Sequence, residues 1–274
     1  MTVLQIFDVE HGNCALLTCT NSMRMLIDCG HNTSMGWYPG NHLRGLNVSY
    51  LDMLVVTNYD QDHLSGFPNL ADCVSIGNIV RNTSVAPNAI RGLKSDDGNI
   101  SPAMDRFVNT VSYQFEPPGA VPALQFPGVE WTAHRNAYPA FTDENNLSLA
   151  LSLRIGAVTL LFPGDLETAG WRYLLRTDQS FVNVAKHTTV LIASHHGRTN
   201  GICPELFDEY GCRPELVIIS DDCHQYDTQA TTSYYGTKAS GIKGFRGRGD
   251  RRVLTTRDDG SITIKWGSTG CSVE

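Results

Sequence analysis

The sequence predicts an α/β protein, a four-layer αββα sandwich in which two mixed β-sheets pack face to face between layers of helices. Two patterns support this prediction. The first part of the chain alternates short apolar stretches with tight turns, which is typical of antiparallel hairpins. The later part alternates apolar strands with helical segments. A chain with both patterns is expected to form two sheets and to cover them with helices.

The length and composition are those of one large globular domain. The chain has 274 residues, of which 41% are hydrophobic and 18% are charged, so it can bury a sizeable core. We therefore predict a single domain over residues 1–274. The eight cysteines form no C-x-x-C pairs and are interpreted as small buried hydrophobic residues rather than as a disulfide or zinc framework.

No stretch of the sequence indicates a membrane span or a secretion signal. No apolar run approaches the roughly 20 residues that cross a bilayer, and the first residues are predicted to form a strand. We expect a cytoplasmic protein with no membrane partner, and no pattern specifies an oligomeric state. The formal charge of −7 argues against a globally basic nucleic-acid binder but is compatible with a local basic patch.

The first predicted elements are three short strands. Residues 3–9 and 14–19 are predicted to form a hairpin around a turn that contains His11. A third strand, residues 25–27, ends at Asp28. From the pattern alone, this aspartate has the alternative interpretation of an ordinary turn residue before a glycine.

The next strand delivers a polar loop. Residues 51–56 are apolar and branched and are followed at once by polar residues, so we predict a buried strand. The loop contains four side chains of metal-ligand type, namely Asn58, Asp60, Asp62 and His63. Alternate residues of an extended backbone point the same way, which would bring the first three together. The alternative is an acidic turn in which Asp62 caps a helix that begins near Leu64.

Two later strands also end in metal-ligand side chains. One leads to Asp165, and the other leads to His195 and His196. Three apolar strands that each place Asp or His at the carboxyl end favour a cation site over turn chemistry. A further predicted strand, residues 129–134, ends in His134, which is interpreted as a ligand or near neighbour of the site, or alternatively as a histidine at its rim.

The remaining segments are less informative. Residues 67–130 are predicted to be a variable insertion that shapes the cleft, with a helix that begins near Pro102. Residues 147–155 alternate as a half-buried strand does, and residues 168–177 are predicted to form a helix. The chain from residue 252 to residue 265 is predicted to form a terminal hairpin with a turn at Asp259 and Gly260.

The polar loop has the form Asn58-x-Asp60-x-Asp62-His63. It resembles the His-x-His-x-Asp-His signature of the metallo-β-lactamase superfamily, with both leading histidines replaced. The order of the motifs is similar to one branch, the hydrolase domain of bacterial DNA-uptake channel proteins (ComEC type) and the related choline-phosphate esterases. The similar stretches are residues 7–17, 26–30, 57–66, 146–151, 161–167 and 194–197. Each motif is weakly specific, and their order and spacing together carry the resemblance.

The resemblance implies the metallo-β-lactamase fold and a metal centre. The metal ligands would be Asp62, His63, Asp165 and His196, with Asn58, Asp60 and His134 as further candidates. Asp28 and His11 would support the ligands from behind. Asp62 and His195 are predicted to be the catalytic residues, with His195 contacting the substrate or leaving group. An exchange of roles between His195 and His196 is the alternative.

The predicted cofactor is one or two divalent ions, Mn or Zn, with Mg as an alternative. Asparagine is a weak ligand, whereas Asp60 can bind a hard ion, so the first position would favour Mn or Mg over Zn or would be filled only with substrate. Such an ion lowers the pKa of bound water toward ~7, so hydroxide is available at neutral pH.

Residues 238–252 form a basic, glycine-rich segment with six basic side chains against the single Asp250. The predicted substrate-binding residues are Lys243, Arg246, Arg248, Arg251 and Arg252. Interleaved glycines let backbone amides approach an anion. The alternative interpretation is a solvated basic loop.

These observations predict a metal-dependent hydrolase, most specifically a phosphodiesterase or nuclease that contacts nucleic acid through residues 238–252. One alternative is the hydrolysis of a small phosphodiester, such as a cyclic nucleotide or a choline-phosphate ester. Another is a metal-stabilised module that binds a partner without turnover. A β-lactam substrate is not implied, because a fold does not determine its substrate.

Overall fold

The computed structural model describes residues 1–96, 100–113, 124–222, 227–247, 249–267 and 270–274. Its strands are β1 (Thr2–Ile6), β2 (Ala15–Thr18), β3 (Arg24–Ile27), β4 (Tyr50–Leu51), β5 (Met53–Val55), β6 (Ser75–Ile76), β7 (Ile79–Val80), β8 (Glu130–Arg135), β9 (Leu149–Ile155), β10 (Val158–Phe162), β11 (Val190–Ile192), β12 (Leu216–Ile219), β13 (Val253–Thr255), β14 (Ile262–Gly267) and β15 (Gly270–Val273). Its α-helices are α1 (Pro39–Gly45), α2 (Gln61–Leu64), α3 (Phe67–Cys73), α4 (Pro87–Asp96), α5 (Pro102–Tyr113), α6 (Thr168–Thr177), α7 (Gln179–Lys186), α8 (Pro204–Asp208), α9 (Thr232–Lys238) and α10 (Thr256–Asp259).

Most of the described strands belong to two mixed sheets. The first sheet has the strand order β15-β14-β1-β2-β3-β5-β7, and the second has the order β13-β12-β11-β10-β9-β8. In the first sheet, β1, β2 and β3 pair antiparallel, whereas β3 and β5 pair parallel with Ile27 opposite Val55. In the second sheet, β10 to β13 run parallel, and β8 and β9 are antiparallel neighbours. Strands β4 and β6 form a separate two-stranded ladder.

The inner faces of the two sheets form one hydrophobic core. Leu4 of β1 and Leu151 of β9 belong to the same cluster of buried side chains, as the two-residue period of a strand predicts. The outer face of the first sheet packs on helices through residues such as Phe107, and that of the second packs on helices through Trp171. Truncating either aromatic side chain to alanine is expected to cost about 3–5 kcal/mol of unfolding free energy. The structure has the layers αββα and confirms the predicted fold.

The insertion of residues 67–130 contributes helices to one of these layers. Helices α3, α4 and α5 pack on the outer face of the first sheet. The predicted helix near Pro102 is α5, whose apolar face is buried as the spacing indicated, with Met104, Phe107, Val108 and Val111 turned inward. None of the described helices has the length and apolar composition needed to cross a membrane.

The predicted terminal hairpin is wrong. Strand β13 pairs parallel with β12 in the second sheet, while β14 pairs antiparallel with β1 in the first sheet. Helix α10 lies between them and begins after Thr255, whose Oγ1 accepts a hydrogen bond from the amide of Asp258. The Asp-Gly pair therefore ends a helical turn, and the chain crosses here from one sheet to the other.

Candidate metal centre

Asp28 anchors the site from behind. It follows β3 directly, adopts the left-handed backbone conformation with φ +56° and is fully buried. Its carboxylate accepts hydrogen bonds from Asn13 Nδ2 at 2.8 Å, Thr57 N at 2.7 Å and His63 Nδ1 at 2.8 Å. A buried carboxylate needs such donors because burial otherwise disfavours its charge. Asp28 therefore ties the first hairpin and the end of β5 to the ligand histidine, the placement that its predicted supporting role requires.

Two glycines allow these segments to approach the ligand loop. A Cβ atom at Gly12 would lie 2.5 Å from the carbonyl oxygen of Asp62, and one at Gly30 would lie 2.6 Å from the same oxygen. Any larger residue at either position would displace the loop, because backbone atoms cannot give way as a flexible side chain does. This close approach is the physical reason for the glycines that follow His11 and Cys29.

The ligand loop is not extended. Asp62 and His63 lie on the short helix α2, which begins at Gln61, so residues 58, 60 and 62 do not alternate as an extended backbone would place them. The alternative in which Asp62 caps a helix is also wrong, since Asp62 lies inside α2. His63 directs Nδ1 to Asp28 and Nε2 to Asp165 Oδ1 at 3.0 Å. The helical turn instead brings Asp62 Oδ2 to within 3.0 Å of His196 Nε2.

The second sheet supplies Asp165 and His196. Asp165 follows β10, and its backbone amide donates to Ser148 Oγ at 3.0 Å. His196 lies in a 3-10 turn, Ser194–Gly197, that follows β11, and both His195 and His196 have φ of +52°. Each left-handed residue costs roughly 1–2 kcal/mol, so the turn is maintained by its surroundings. The surrounding structure contacts the turn at His196, whose Nδ1 donates a hydrogen bond to the carbonyl oxygen of Ser220 at 2.9 Å.

Four side chains converge into one cluster. The ligand atoms of Asp62, His63, Asp165 and His196 lie within 4.8 Å of one another. Burial alone would lower the pKa of His196, but Asp165 and Asp62 outweigh it and raise the pKa to about 10. Burial alone would raise the pKa of Asp62, yet His196 and His63 lower it to about 2. The carboxylates and imidazoles therefore stabilise each other in their charged forms.

The donor set of this cluster fits a divalent ion. The carboxylate of Asp28 and the carbonyl of Ser220 accept hydrogen bonds, so His63 and His196 each donate through Nδ1 and direct Nε2 toward the carboxylates. The buried Nε2 of His196 lies 3.0 Å from Asp62 Oδ2 and 3.6 Å from Asp165 Oδ2, so it faces both carboxylates. Two imidazole nitrogens and two carboxylates suit Zn or Mn. These four residues are the ones that could hold the ion.

The cluster opens into a cavity of about 480 Å³ whose wall includes Arg198. Its Nη1 donates to His195 Nε2 at 3.2 Å, and its Nη2 donates to His11 Nε2 at 2.9 Å. Because a guanidinium only donates, both imidazoles accept through Nε2 and carry their hydrogen on Nδ1. Burial lowers the pKa of His11 to about 4 and also lowers that of His195. His11 and His195, which were both predicted to be site residues, line the cavity. Arg198 was not predicted from the sequence, although this residue directly follows the His195-His196-Gly197 motif.

The structure does not bring Asn58 and Asp60 into the cluster. Asn58 Nδ2 donates to Ser148 Oγ at 3.1 Å, and its Oδ1 accepts from the amide of Asp60 at 2.7 Å. Asp60 lines the cavity, but its carboxylate forms an ion pair with Lys94, whose ammonium also lies 2.6 Å from Glu144 Oε1. Neither side chain belongs to the cluster, and their assignments as ligands stay predictions. The sequence around Lys94 did not predict that this residue lies near the site, because α4 belongs to the weakly patterned insertion of residues 67–130.

His134, which was predicted to be a ligand, a near neighbour or a histidine at the rim, also lies outside the cluster. It belongs to β8, the strand at the edge of the second sheet and two positions from β10. Its Nδ1 donates to Asp178 Oδ2 at 2.7 Å, and its ring packs on Phe181 with the centroids 5.3 Å apart. The histidine links the edge strand to the start of α7 instead of facing the ion.

The basic segment is largely bound to the protein itself. Arg246 donates to the carbonyl oxygens of Asp259 and Ser261, and Arg251 donates twice to the carboxylate of Asp259. Arg252 donates to the carbonyl oxygen of Gly236 at 3.2 Å, while Lys243 is exposed. Arg248 lies outside the described residues. The arginine contacts stabilise the loop, because they satisfy carbonyl groups around the buried Phe245.

No family model matches the chain. A segment of 61 residues is 36% identical to the anti-Pycsar protein Apyc1 of Bacillus phage vB_BveM-Goe7 and covers 22% of each protein. A segment of 80 residues is 34% identical to ribonuclease Z of Lachnoclostridium phytofermentans and covers 29% of this chain and 24% of that protein. The matched segments thus span about a quarter or less of these curated relatives.

The chain is also similar to solved structures of low sequence identity. One is described as a putative Zn-dependent hydrolase of the metallo-β-lactamase superfamily from Thermotoga maritima, with 12% identity, a TM-score of 0.44, and coverage of 92% of this chain and 97% of that one. Another is CmlA, a diiron β-hydroxylase from Streptomyces venezuelae, with 12% identity, a TM-score of 0.45, and coverage of 80% and 44%.

These sequence likenesses are confined to short segments, so the superfamily stays a prediction from the motifs. The mixed oxygen and nitrogen cluster is a candidate site for a metal ion. The branch that resembles DNA-uptake channel proteins stays a prediction. The site itself consists of Asp62, His63, Asp165 and His196 at the mouth of a cavity that also contains Arg198.

Proposed function

We propose that the protein is a metal-dependent phosphodiesterase. The observation that carries the proposal is the convergence of two carboxylates and two imidazole Nε2 atoms within 4.8 Å, beside a cavity whose wall includes the guanidinium of Arg198. A bound divalent ion would supply the Lewis acidity that makes water a nucleophile near neutral pH. The local likeness to a ribonuclease, an enzyme that cleaves phosphodiesters, points the same way.

The chain's own residues have distinct roles in this proposal. Arg198 places a permanent positive charge on the cavity wall, where it attracts a phosphoryl group. It also holds His195 through Nε2, so the imidazole presents its Nδ1–H as a donor. That buried Nδ1 has no hydrogen-bond partner among the described residues and lies 3.8 Å from Glu167 Oε1. We assign it to the leaving-group oxygen, which develops negative charge as the bond breaks.

Small phosphodiesters, such as cyclic nucleotides, are the proposed substrates. Polymer binding depends on several cationic contacts to phosphate, yet three arginines of residues 238–252 donate to groups of the protein itself. The cavity wall also carries Glu10 and Asp222, which repel a polyanion. A nuclease is the second candidate, favoured by the likeness to ribonuclease Z over 80 residues.

The test is hydrolysis by the purified full chain with Mn, Zn or Mg in turn. The substrates are a bis-aryl phosphodiester, cyclic nucleotides, and single- and double-stranded DNA and RNA. Asp165→Asn, which removes a ligand charge, should reduce cleavage to the rate without enzyme. The matched control Asp72→Asn changes an aspartate whose side chain is 62% exposed, and it should retain wild-type rates. A folded wild type that cleaves no phosphodiester with any ion would overturn the proposal in favour of a binding module.

Salt dependence separates the two substrate classes. Turnover of a small phosphodiester should change little between low and physiological salt, whereas a nuclease should lose polymer affinity steeply as counterions compete. Lys243→Ala, which removes an exposed charge from the basic segment, should lower cleavage only in the polymer case. Strong polymer cleavage with a steep salt slope would establish the nuclease instead.

A further inference from the structure

The cavity at the metal centre has an excess of negative charge. Among the described residues, its wall carries one guanidinium, that of Arg198, and five acidic side chains, namely Glu10, Asp60, Asp62, Asp165 and Asp222. An anionic substrate enters such a cavity only when much of this charge is neutralised. A divalent ion at Asp62 and Asp165 neutralises two of the five carboxylates, which leaves Asp60 beside the reaction centre to be compensated by another cation.

Lys94 is that cation. Its side chain is 12% exposed and lies between Asp60, whose side chain is 28% exposed, and Glu144, whose side chain is 17% exposed. Burial alone would lower the pKa of Lys94, but the two carboxylates outweigh it and raise the pKa, so the ammonium remains charged at neutral pH. Its position in the last turn of α4 is also favourable, because the carboxyl end of a helix attracts cations.

The same ion pair occupies the carboxylates that a second divalent ion would need. Asp60 is the remaining acidic side chain of the ligand loop, and its Oδ1 is bound to Lys94. Asn58 offers no substitute, because its Oδ1 accepts from the amide of Asp60 and its Nδ2 donates to Ser148. A second divalent ion at this place would have to displace the ammonium, since two cations repel at such short range.

We propose that the centre binds a single divalent ion and that the ammonium of Lys94, held between Asp60 and Glu144, takes the place of a second one. The inference rests on the proposed function for the first ion. Lys94 neutralises Asp60 and so allows an anionic group to approach the cluster, while it leaves Asp62, His63, Asp165 and His196 as the complete set of metal ligands. The inference concerns the monoanionic phosphodiesters of the proposed function, because Lys94 neutralises one of the carboxylates that would otherwise repel their phosphoryl group.

The number of ions bound per chain tests this inference directly. Full-length protein is saturated with Mn²⁺, and bound metal is measured by mass spectrometry and by electron spin resonance, in which neighbouring Mn²⁺ ions couple. Wild type should bind one uncoupled ion. Lys94→Met, which keeps the length of the side chain but removes its charge, should bind two ions, because Asp60 and Glu144 become free to act as ligands.

Two variants serve as matched controls. Lys94→Arg retains the positive charge and should bind one ion. The double variant Lys94→Met with Asp60→Asn should return from two ions to one, which places the second ion at Asp60. Far-ultraviolet circular dichroism establishes that each variant is folded before its metal content is compared. The wild-type measurement does not depend on any variant, so a misfolded Lys94→Met protein leaves the inference open to disproof.

Two ions in wild type, or one ion in folded Lys94→Met, would overturn the role of Lys94. Neither result would affect the proposed phosphodiesterase, which requires only that some ion is bound. No bound ion in wild type would overturn both proposals together. Hydrolysis is not used as the readout here, so a failure of catalysis and a failure of the ion count are separate results.

Discussion

At the scale of single residues, the site depends on buried groups whose hydrogen bonds are satisfied by distant parts of the chain. Asp28 is the clearest case, because donors from the first hairpin, the end of β5 and α2 all meet its carboxylate. The same logic explains His196, whose Nδ1 is held by the carbonyl oxygen of Ser220. Each histidine is thereby oriented before an ion arrives, which lowers the entropy cost of binding.

Asp28→Asn should weaken both metal binding and folding. Asparagine keeps the size of the side chain and tolerates φ of +56°, so the change removes mainly charge and acceptor capacity. We expect metal affinity to fall by about 10–100-fold and unfolding free energy to fall by about 1–3 kcal/mol, since the amide nitrogen replaces one of the two oxygens that accept buried hydrogen bonds. Titration calorimetry and urea unfolding measure the two effects. The surface variant Asp72→Asn should change neither, and unchanged affinity in Asp28→Asn would refute the supporting role.

At the scale of elements, the candidate ligands lie just after the ends of strands, and the turns that follow the strands set the orientation of their side chains. The turn Ser194–Gly197 contains two successive non-glycine residues in the left-handed region before Gly197, which has φ of +74°. A continuous apolar run indicates where β11 ends, but the direction in which His196 points is set by this turn. The helical turn of α2 has the same effect on Asp62 and His63.

Gly197→Ala should destabilise the protein and loosen the metal site. A Cβ atom there would lie 2.9 Å from Ile219 Cγ2, and the left-handed backbone adds roughly 1–2 kcal/mol. Gly156→Ala is the matched control, because it has φ of +61° but meets nothing within 4 Å. Urea unfolding of both variants distinguishes the cost of the left-handed backbone, which both variants share, from the cost of the close contact with Ile219, which only Gly197→Ala has. Equal losses in the two variants, with unchanged metal affinity, would show that the turn does not position His196.

The amino terminus of α7 should contribute stability that depends on pH. Burial alone would raise the pKa of Asp178, but hydrogen bonds from Ser180, His134 and the amide of Phe181 outweigh it and lower the pKa to about 2. A carboxylate with a depressed pKa stabilises the fold above its unfolded value of about 3.9, and this stability is lost as the pH falls toward 2. Asp178→Ala should therefore cost about 0.5–2 kcal/mol at neutral pH.

Urea unfolding of wild type and Asp178→Ala across the acid range measures this effect. The difference in unfolding free energy should be constant above about pH 5 and should shrink between about pH 4 and pH 2. A difference that stays the same through this window would show that the charge of Asp178 is not involved. The contact also explains His134, which stabilises this helix terminus instead of binding an ion.

At the scale of the whole molecule, the cluster joins the two sheets. Asp62 and His63 follow the first sheet, whereas Asp165 and His196 follow the second. An ion bound by all four therefore links the two halves of the sandwich and binds only the folded state. At a free ion concentration of one hundred times Kd, unfolding free energy should rise by about 2.7 kcal/mol.

Thermal unfolding with Mn or Zn, followed by addition of a chelator, measures this whole-molecule effect. The melting temperature should rise with the ion and should return to its starting value after chelation. Asp165→Asn should show a much smaller rise because it has lost a ligand charge. An equal rise in wild type and in the variant would mean that the ion binds elsewhere on the protein.

Many of the strands, and the polar residues that follow them, could be predicted from local sequence patterns. Apolar runs followed by Asp or His predicted the strands and the places where Asp62, His63, Asp165 and His196 would be delivered, because a buried strand and its polar exit are local properties. The resemblance to the superfamily, and not the local pattern, predicted that Asp28 and His11 lie near the site. The prediction of an extended ligand loop was wrong, because a helical turn begins at Gln61, and Asn58 and Asp60 lie outside the cluster.

By itself, the sequence determined the layers of the sandwich and which polar residues follow its strands, since hydrophobic period and chain breaks depend on neighbouring residues alone. Only the tertiary structure decided which of those residues meet. It turned His134 toward α7, crossed the tail from one sheet to the other, and brought Lys94 and Arg198 to the cavity. The physical reason is that these contacts join residues far apart in the chain, and their formation depends on how whole elements pack.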